Sequence, residues 1–501
     1  MKQWLDTYGD ILKPYICDTG EVLAMATYPS FDLNDPYTID EYSQAELDAS
    51  GLKEGTDEYK TEYSRLMYRM WNNKCLTETY EPGSTFKVVT SSMALEEGVV
   101  TPETPFYCAG SLMVEGWSKP ISCANHNGHG AVTFRTGLQQ SCNPTLMQVA
   151  ALIGRERFYY YFKAFGYGGK TGIDLPGEVG SIYASYENFS GVSLAVYSFG
   201  QTFKTTPVQQ LRAITVVANG GYLVTPHLLR EITDDDGNVI QTYESEPVRQ
   251  VVSENTCKTL TNILEEGVAT NGAAKNAYVK GYRVAAKTGT SEKKDECDES
   301  GNTPYRVGST AAFAPADDPQ ISALIMVDKP LKSAVYGGTV AAPYISNLLS
   351  YVLPYIGVEP QYTTEELAKL DVTLSSYVGA TVENAINDLS WRGFSYEIIG
   401  DGSTVTAQIP EAGSKISSDT GLLILYTGEE TPANTVEVPD LMGMSAYNAN
   451  NAAVSLDLNV TFYGSTNGST ATVINQYPAG GTKVPRGTII EIELRHLDGT
   501  D

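Results

Sequence analysis

Apolar and polar positions alternate differently along the two parts of this chain, and the change of pattern gives its organisation. From Lys13 to Tyr28 two short apolar runs flank the turn Asp18-Thr19-Gly20 and stop at Pro29, which predicts a hairpin. A polar, Tyr-rich stretch from Asp32 to Tyr63 has no firm periodicity and reads as a surface excursion. From Gly83 the positions Phe86, Val88, Val89, Met93, Ala94 and Leu95 are too apolar for a surface helix, so a buried helix is expected there, ended by Gly98. Further helices are predicted over Thr136–Ile153 and Pro207–Asn219, and strands over Tyr282–Ala286 and Ala311–Ala314 on either side of Lys287. Irregular alternation of helices and strands predicts a mixed α/β domain over residues 1–356.

Beyond about Thr363 the chain turns to Ser, Thr, Gly and Val in short alternating runs, and a repeat appears. Gln408-Ile409-Pro410-Glu411-Ala412-Gly413 matches Gln476-Tyr477-Pro478-Ala479-Gly480-Gly481, at an offset of 68 (476 − 408). Gly379 and Gly443 each precede a predicted helix. Each unit is therefore expected to be a small helix with a few strands, used twice, over residues 357–430 and 431–501.

Charge narrows the class of partner. With 34 Lys+Arg against 60 Asp+Glu the net charge is −26, which repels nucleic acid and anionic lipid. Such acidity serves solubility, or else the steering of a cationic substrate. Seven cysteines make neither a disulfide scaffold nor a zinc ribbon, and no apolar run approaches a membrane span.

The chemistry is carried by three short motifs. Ser84 and Lys87 stand three residues apart, on one face of a helix, where a lysine shielded from water is neutral and takes the serine proton. Ser141-Cys142-Asn143 adds a hydroxyl for proton relay and an amide for a substrate carbonyl or NH. Lys287-Thr288-Gly289-Thr290 offers a carboxylate clamp, with Gly289 permitting close backbone approach. The set S-x-x-K, S-x-N and K-T-G, in this order, resembles that of serine β-lactamases and penicillin-binding proteins.

The likeness is closest to class B penicillin-binding proteins. It runs through Thr19-Gly20-Glu21-Val22-Leu23-Ala24-Met25, Glu81-Pro82-Gly83-Ser84-Thr85-Phe86-Lys87, Gly172-Ile173-Asp174-Leu175-Pro176-Gly177-Glu178 and Phe199-Gly200-Gln201 with Thr206-Pro207. This resemblance implies a transpeptidase domain with a central antiparallel sheet and helices. It implies that Ser84 attacks a D-Ala-D-Ala stem peptide, with Lys87 as base, Ser141 and Asn143 in the relay, and Lys287 to Thr290 binding substrate. The backbone N–H groups of Ser84 and Thr290 would form the oxyanion hole. β-Lactams would acylate the same serine. The tail repeats resemble PASTA modules, read as binders of muropeptide or glycan, or as a spacer. Members of the class carry a membrane anchor and a pedestal domain ahead of this region and work beside a glycan polymerase, so an extracytoplasmic place and a longer parent protein are expected. Gln201 and Thr206 are either turn and helix-start residues or substrate neighbours.

Two rival readings share the residues. A β-lactamase or β-lactam sensor would use the same serine and lysine but needs a water-activating base. A non-catalytic wall-binding scaffold would act through the repeats.

Cys142 lies inside the second motif. A Cys123–Cys142 disulfide would disturb the site and act as a redox brake, resembling control in sporulation-type members of the class, whereas two free thiols are the plain alternative. Cys123, His126 and His129 have C-x-x-H-x-x-H spacing, with Cys108 or Cys142 as fourth zinc ligand. Serine acyl transfer requires neither metal nor cofactor, and neither is expected.

Overall fold

The computed structural model describes residues 12–243, 246–294, 296, 303, 305–330, 335–361, 371–392, 394–417, 421–428, 435–464 and 471–496. The chain divides into two compact units, one of Met1–Val279 with Arg283–Val352 and the other of Lys280–Tyr282 with Leu353–Asp501.

The first unit is built on a four-stranded antiparallel sheet of β1 (Leu12–Ile16), β2 (Ala285–Glu292), β3 (Arg306–Ala314) and β4 (Ile321–Asp328), in the order β1-β4-β3-β2. Strands β3 and β4 are buried along nearly their whole length. The expected hairpin over Lys13–Tyr28 does not form: β1 pairs with β4, and Glu21 instead bridges to His227, with Val22 N–H donating to the His227 carbonyl. A long-range edge thus takes the backbone groups that a local turn would have used. The stretch expected as an irregular excursion holds two helices, Glu41–Ala49 and Asp57–Trp71, capped by Asp40 and Thr56. They bury one small cluster of Ile39, Leu47 and Leu66, a stripe divided between two elements and hence faint in either alone.

The helices α1 (Lys87–Glu96), α2 (Phe134–Gln139), α3 (Asn143–Ile153) and α4 (Pro207–Ala218) fill the layer behind the sheet. Helix α1 is buried from Lys87 to Ala94 and is entered through a tight 3₁₀ turn, Gly83–Phe86. Phe86 anchors that turn, with ring centroids 4.9 Å from Phe203 and 5.2 Å from Tyr167. Aromatic packing of this kind, lost on truncation to alanine, is worth about 3–5 kcal/mol. The helix expected over Thr136–Ile153 is two helices. Pro144, at the first turn of α3, has no N–H to give and favours a new start over continuation.

In the second unit the repeat is a repeat of structure. Strands Ser395–Ile399, Leu422–Tyr426 and Ala407–Ile409 form one three-stranded sheet, and Asn459–Gly464, Ile489–His496 and Ala471–Tyr477 another, each with one parallel and one antiparallel pairing. Helices Val382–Arg392 and Ala446–Val454 accompany them. The repeated glutamine explains the motif: Gln408 accepts from Tyr377 N–H at 2.7 Å and donates to the carbonyls of Ser375 and Pro410. Gln476 does the same with Leu441 N–H, Pro439 and Pro478. Each side chain thereby satisfies backbone groups of two loops at once. Gln476→Ala should destabilise its repeat by about 1–3 kcal/mol, the usual cost of stranding buried polar groups, and urea unfolding followed by circular dichroism measures it.

Candidate active site

The three motifs meet through backbone constraints. Gly83 has φ +58°, and a Cβ there would lie 2.7 Å from the Thr290 carbonyl oxygen, so only glycine lets the Ser84 turn sit against β2. Gly289 reciprocates, since a Cβ on it would meet the Pro82 oxygen at 2.8 Å. Thr85 holds the turn from behind, donating to the Pro82 carbonyl at 2.9 Å and accepting from Gln210 at 3.1 Å.

Lys87 is fully buried at the start of α1. Its Nζ donates to the Ser141 carbonyl at 2.6 Å, Asn143 Oδ1 at 2.8 Å and Ser141 Oγ at 3.2 Å. Burial pushes its proton affinity down to about 7, opposed by the Cys142 and Cys123 sulfurs. On β2, Lys287 is also buried and donates to Ser141 Oγ at 2.8 Å. Burial, and then the charge on Lys87, drive its proton affinity well below the ordinary lysine range. Two ammonium groups on one hydroxyl repel, so the pair favours a state with at least one amine neutral. The result is a continuous path from Lys87 through Ser141 Oγ to Lys287 along which a proton can move.

Ser84, half-buried, lies in the turn that leads into α1, three residues before Lys87, and among the described residues its Oγ has no hydrogen bond. The expected Ser84–Lys87 contact is thus not made here: Lys87 spends its donors on Ser141 and Asn143. Asn143 likewise serves the lysine, with its amide nitrogen donating to the Ser122 carbonyl at 3.2 Å, where an amide free for substrate was expected. Thr288 is buried beside Lys287. The Thr290 hydroxyl accepts from Gly337 N–H at 3.1 Å, and its own proton remains available to a carboxylate. Sequence reasoning missed Gly337, though the Gly337-Gly338 pair was the signal for a backbone pressed on its neighbour. Thr206 is a helix cap, exchanging bonds with Gln209, and Gln201 lies in the turn after the helix Gly191–Tyr197.

Ser141 itself has φ +57°, a left-handed conformation that is costly for a residue with a Cβ. It occupies the break between α2 and α3, where Cys142 N–H donates to the Gly137 carbonyl at 2.8 Å and Ser141 N–H to Leu138. Cys142 and Cys123 are both free, and their sulfurs lie within 4.8 Å of each other, with Cys108 and His129 in the same cluster. The Cys142 thiol, then the backbone amides of Asn143 and Asn125, hold the Cys123 sulfur far below the ordinary thiol range. His126 is outside this group: a turn closed by Gly128 N–H on the Asn125 carbonyl leaves it exposed at the loop tip. The spacing alternative that grouped His126 with Cys123 and His129 therefore loses His126.

Residues 17–350 match the penicillin binding protein transpeptidase domain, and residues 372–429 and 436–495 each match the PASTA domain. Stage V sporulation protein D of Bacillus subtilis is 34% identical over 416 residues, 82% of this chain and 60% of its own length. Peptidoglycan D,D-transpeptidase FtsI of Escherichia coli (strain K12) is 27% identical over 347 residues, 69% of this chain and 51% of its own. The chain thus spans little more than half the length of these relatives. Penicillin-binding protein 3 from Mycobacterium tuberculosis, in complex with aztreonam, superposes with a TM-score of 0.58 at 26% identity, over 70% of this chain and 73% of that one. Penicillin Binding Protein 2X from Streptococcus thermophilus covers 99% of this chain, and this chain 69% of it, at a TM-score of 0.57 and 22% identity, and so shares the fold. With a serine at the head of a buried helix, a lysine one turn on and a K-T-G strand closing the site, this chain belongs to the penicillin-binding protein transpeptidase family.

Proposed function

We propose that the chain is a serine D,D-transpeptidase that cross-links peptidoglycan stem peptides through a Ser84 acyl-enzyme. The observation that carries the reading is Lys87, an amine buried with no carboxylate partner among the described residues, its proton affinity lowered to about 7 and its Nζ bonded to Ser141 beside the Ser84 turn. A lysine held this way is a base and not a structural cation.

In this reading the neutral Lys87 amine turns from Ser141 to take the Ser84 hydroxyl proton as Oγ attacks the penultimate D-Ala carbonyl. Backbone N–H groups of Ser84 and Thr290 hold the developing oxyanion, each donor of this kind contributing about 2.7–4 kcal/mol. Collapse of the tetrahedral intermediate expels the terminal D-Ala, whose nitrogen takes the proton from Lys87 through Ser141. The amine of a second stem peptide then attacks the ester, loses its proton to the same relay and releases Ser84. Lys287, Thr288 and Thr290 hold the substrate carboxylate, with Lys287 moving between Ser141 and substrate. β-Lactams enter the first half of this cycle and stay on the serine. The site works on the outer face of the membrane, beside a glycan polymerase that supplies the strands.

A fluorescent penicillin should label the wild-type chain in a band that persists for many minutes and is absent in Ser84→Ala, as read on a denaturing gel. Release of the label within seconds would identify a β-lactamase, and Ser84-independent or absent labelling would leave the wall-binding scaffold.

The pH dependence follows from the lowered proton affinity of Lys87. Only the neutral amine accepts a proton, so the acylation rate should be low in acid, rise through about 7 and level off above it. Lys87→Ala should lower that rate by roughly 10²–10⁴-fold and flatten the profile, which stopped-flow acylation over a pH series measures.

A further inference from the structure

Four potential metal ligands converge behind the second motif, and the transpeptidase chemistry uses none of them. Cys108 ends the strand Pro105–Cys108, which pairs with Gly130–Thr133 so that Cys108 lies opposite Gly130, the neighbour of His129. Cys123 follows the strand Ile121–Ser122 and is tied by its N–H to the Gly110 carbonyl at 2.8 Å. Cys142 caps α3. Three separate elements thus deliver three sulfurs and one ring nitrogen to one point, all within 4.8 Å of one another, and the three cysteines are buried.

We propose that Cys108, Cys123, His129 and Cys142 form a tetrahedral zinc site that fixes the Ser141–Asn143 segment in its working shape. The donor set is Cys₃His, the combination that selects zinc, and it is closed, with four protein ligands and no open position. Metal–sulfur and metal–nitrogen bonds of about 2.3 and 2.0 Å in a tetrahedron put neighbouring donors about 3.5–3.8 Å apart. Cys123 Sγ and His129 Nδ1 already stand 3.6 Å apart, and side-chain adjustments of under about an ångström close the remaining edges. The amides of Asn143 and Asn125 lie against the Cys123 sulfur, the arrangement that supports a metal-bound thiolate. A site of this kind replaces the expectation that the protein holds no metal.

Its consequence for the active site is mechanical. Cys142 lies between Ser141, held at a left-handed φ, and Asn143, whose amide holds Lys87. A ligand bond at Cys142 and the Asn143 N–H against Cys123 would clamp both neighbours. The zinc touches no reacting atom, and Cys142 is a positioning residue. This role, unlike the metal site itself, rests on the proposed acylation of Ser84.

The test uses the full chain purified with a thiol reductant. Elemental analysis should find about one zinc per chain in the wild type and in Ser84→Ala, and only a small fraction of that in Cys108→Ser and His129→Ala, two changes at residues outside the three motifs. Cobalt titrated into metal-stripped wild type should give the intense visible bands of tetrahedral thiolate coordination, a readout that does not depend on whether a variant folds. Absence of both metal and cobalt bands, or full zinc in Cys108→Ser, overturns the site, as does a Cys123–Cys142 disulfide that persists under the reductant. For the clamp, chelation should slow labelling by fluorescent penicillin about tenfold or more, with recovery on adding zinc. Unchanged labelling of verified zinc-free protein overturns the clamp. No labelling of zinc-loaded wild type instead overturns the transpeptidase reading and leaves the metal stoichiometry standing.

Discussion

Lys87, an amine with no carboxylate partner among the described residues, is fully buried, and the local structure is arranged around that cost. A buried ammonium commonly forfeits several kcal/mol of hydration, which oxygen acceptors restore only in part. Three oxygens from Ser141 and Asn143 supply that partial compensation. The balance between burial and these acceptors leaves the amine close to neutrality, where it can both bind and surrender a proton. A carboxylate in place of Asn143 would fix the charge and remove the base. An apolar residue there would leave the amine loose.

Holding those acceptors in place determines the surrounding backbone. Ser141 reaches Lys87 with both its carbonyl and its hydroxyl because the helix breaks before Asn143 and the serine adopts a left-handed turn. A continuous helix over the same residues would point the Ser141 carbonyl along its own axis, into an intrahelical bond. On the other wall, Lys287 meets the same hydroxyl because glycines at 83 and 289 let the Ser84 turn and β2 approach more closely than side chains allow. Phe86, Tyr167 and Phe203 then lock the turn from the core side.

The residue types and their order were legible in the sequence because the motifs are short and fixed in spacing, and the fold brings Ser84, Lys87, Ser141, Asn143 and the Lys287 strand to one locus. Their hydrogen-bond partners were not, since a short motif records which groups are present but not which way an amide faces. Pro144 did signal the start of α3, and an apolar periodicity running through Thr136–Ile153 masked it. The failed hairpin at Lys13–Tyr28 has a different origin: strand propensity is local, but the choice of partner, here β4, is made some three hundred residues away. The two helices between Asp40 and Trp71 share one small core, so neither carries a complete amphipathic stripe. In the second unit the repeat was readable because Gln408 and Gln476 perform an identical backbone task twice.

The cysteine cluster joins these two themes. The C-x-x-H-x-x-H spacing offered His126 and His129 alike, with Cys108 or Cys142 as alternatives, whereas the fold drops His126 and brings Cys108, through strand pairing, together with Cys142. The cluster gathers at the back of the one segment where a strained serine and a lysine-binding amide are adjacent. Strain of that kind survives only where neighbouring contacts over-determine it. For Ser141 the hydrogen bonds of α2 hold one side and Asn143 the other, and the sulfur of Cys142 is the remaining point at which the segment can be fixed. If Lys87 is the base of the proposed acylation, its acceptors must be rigid, because each ångström of slack at Asn143 or Ser141 changes the solvation of the amine and with it the proton affinity that the proposed step requires.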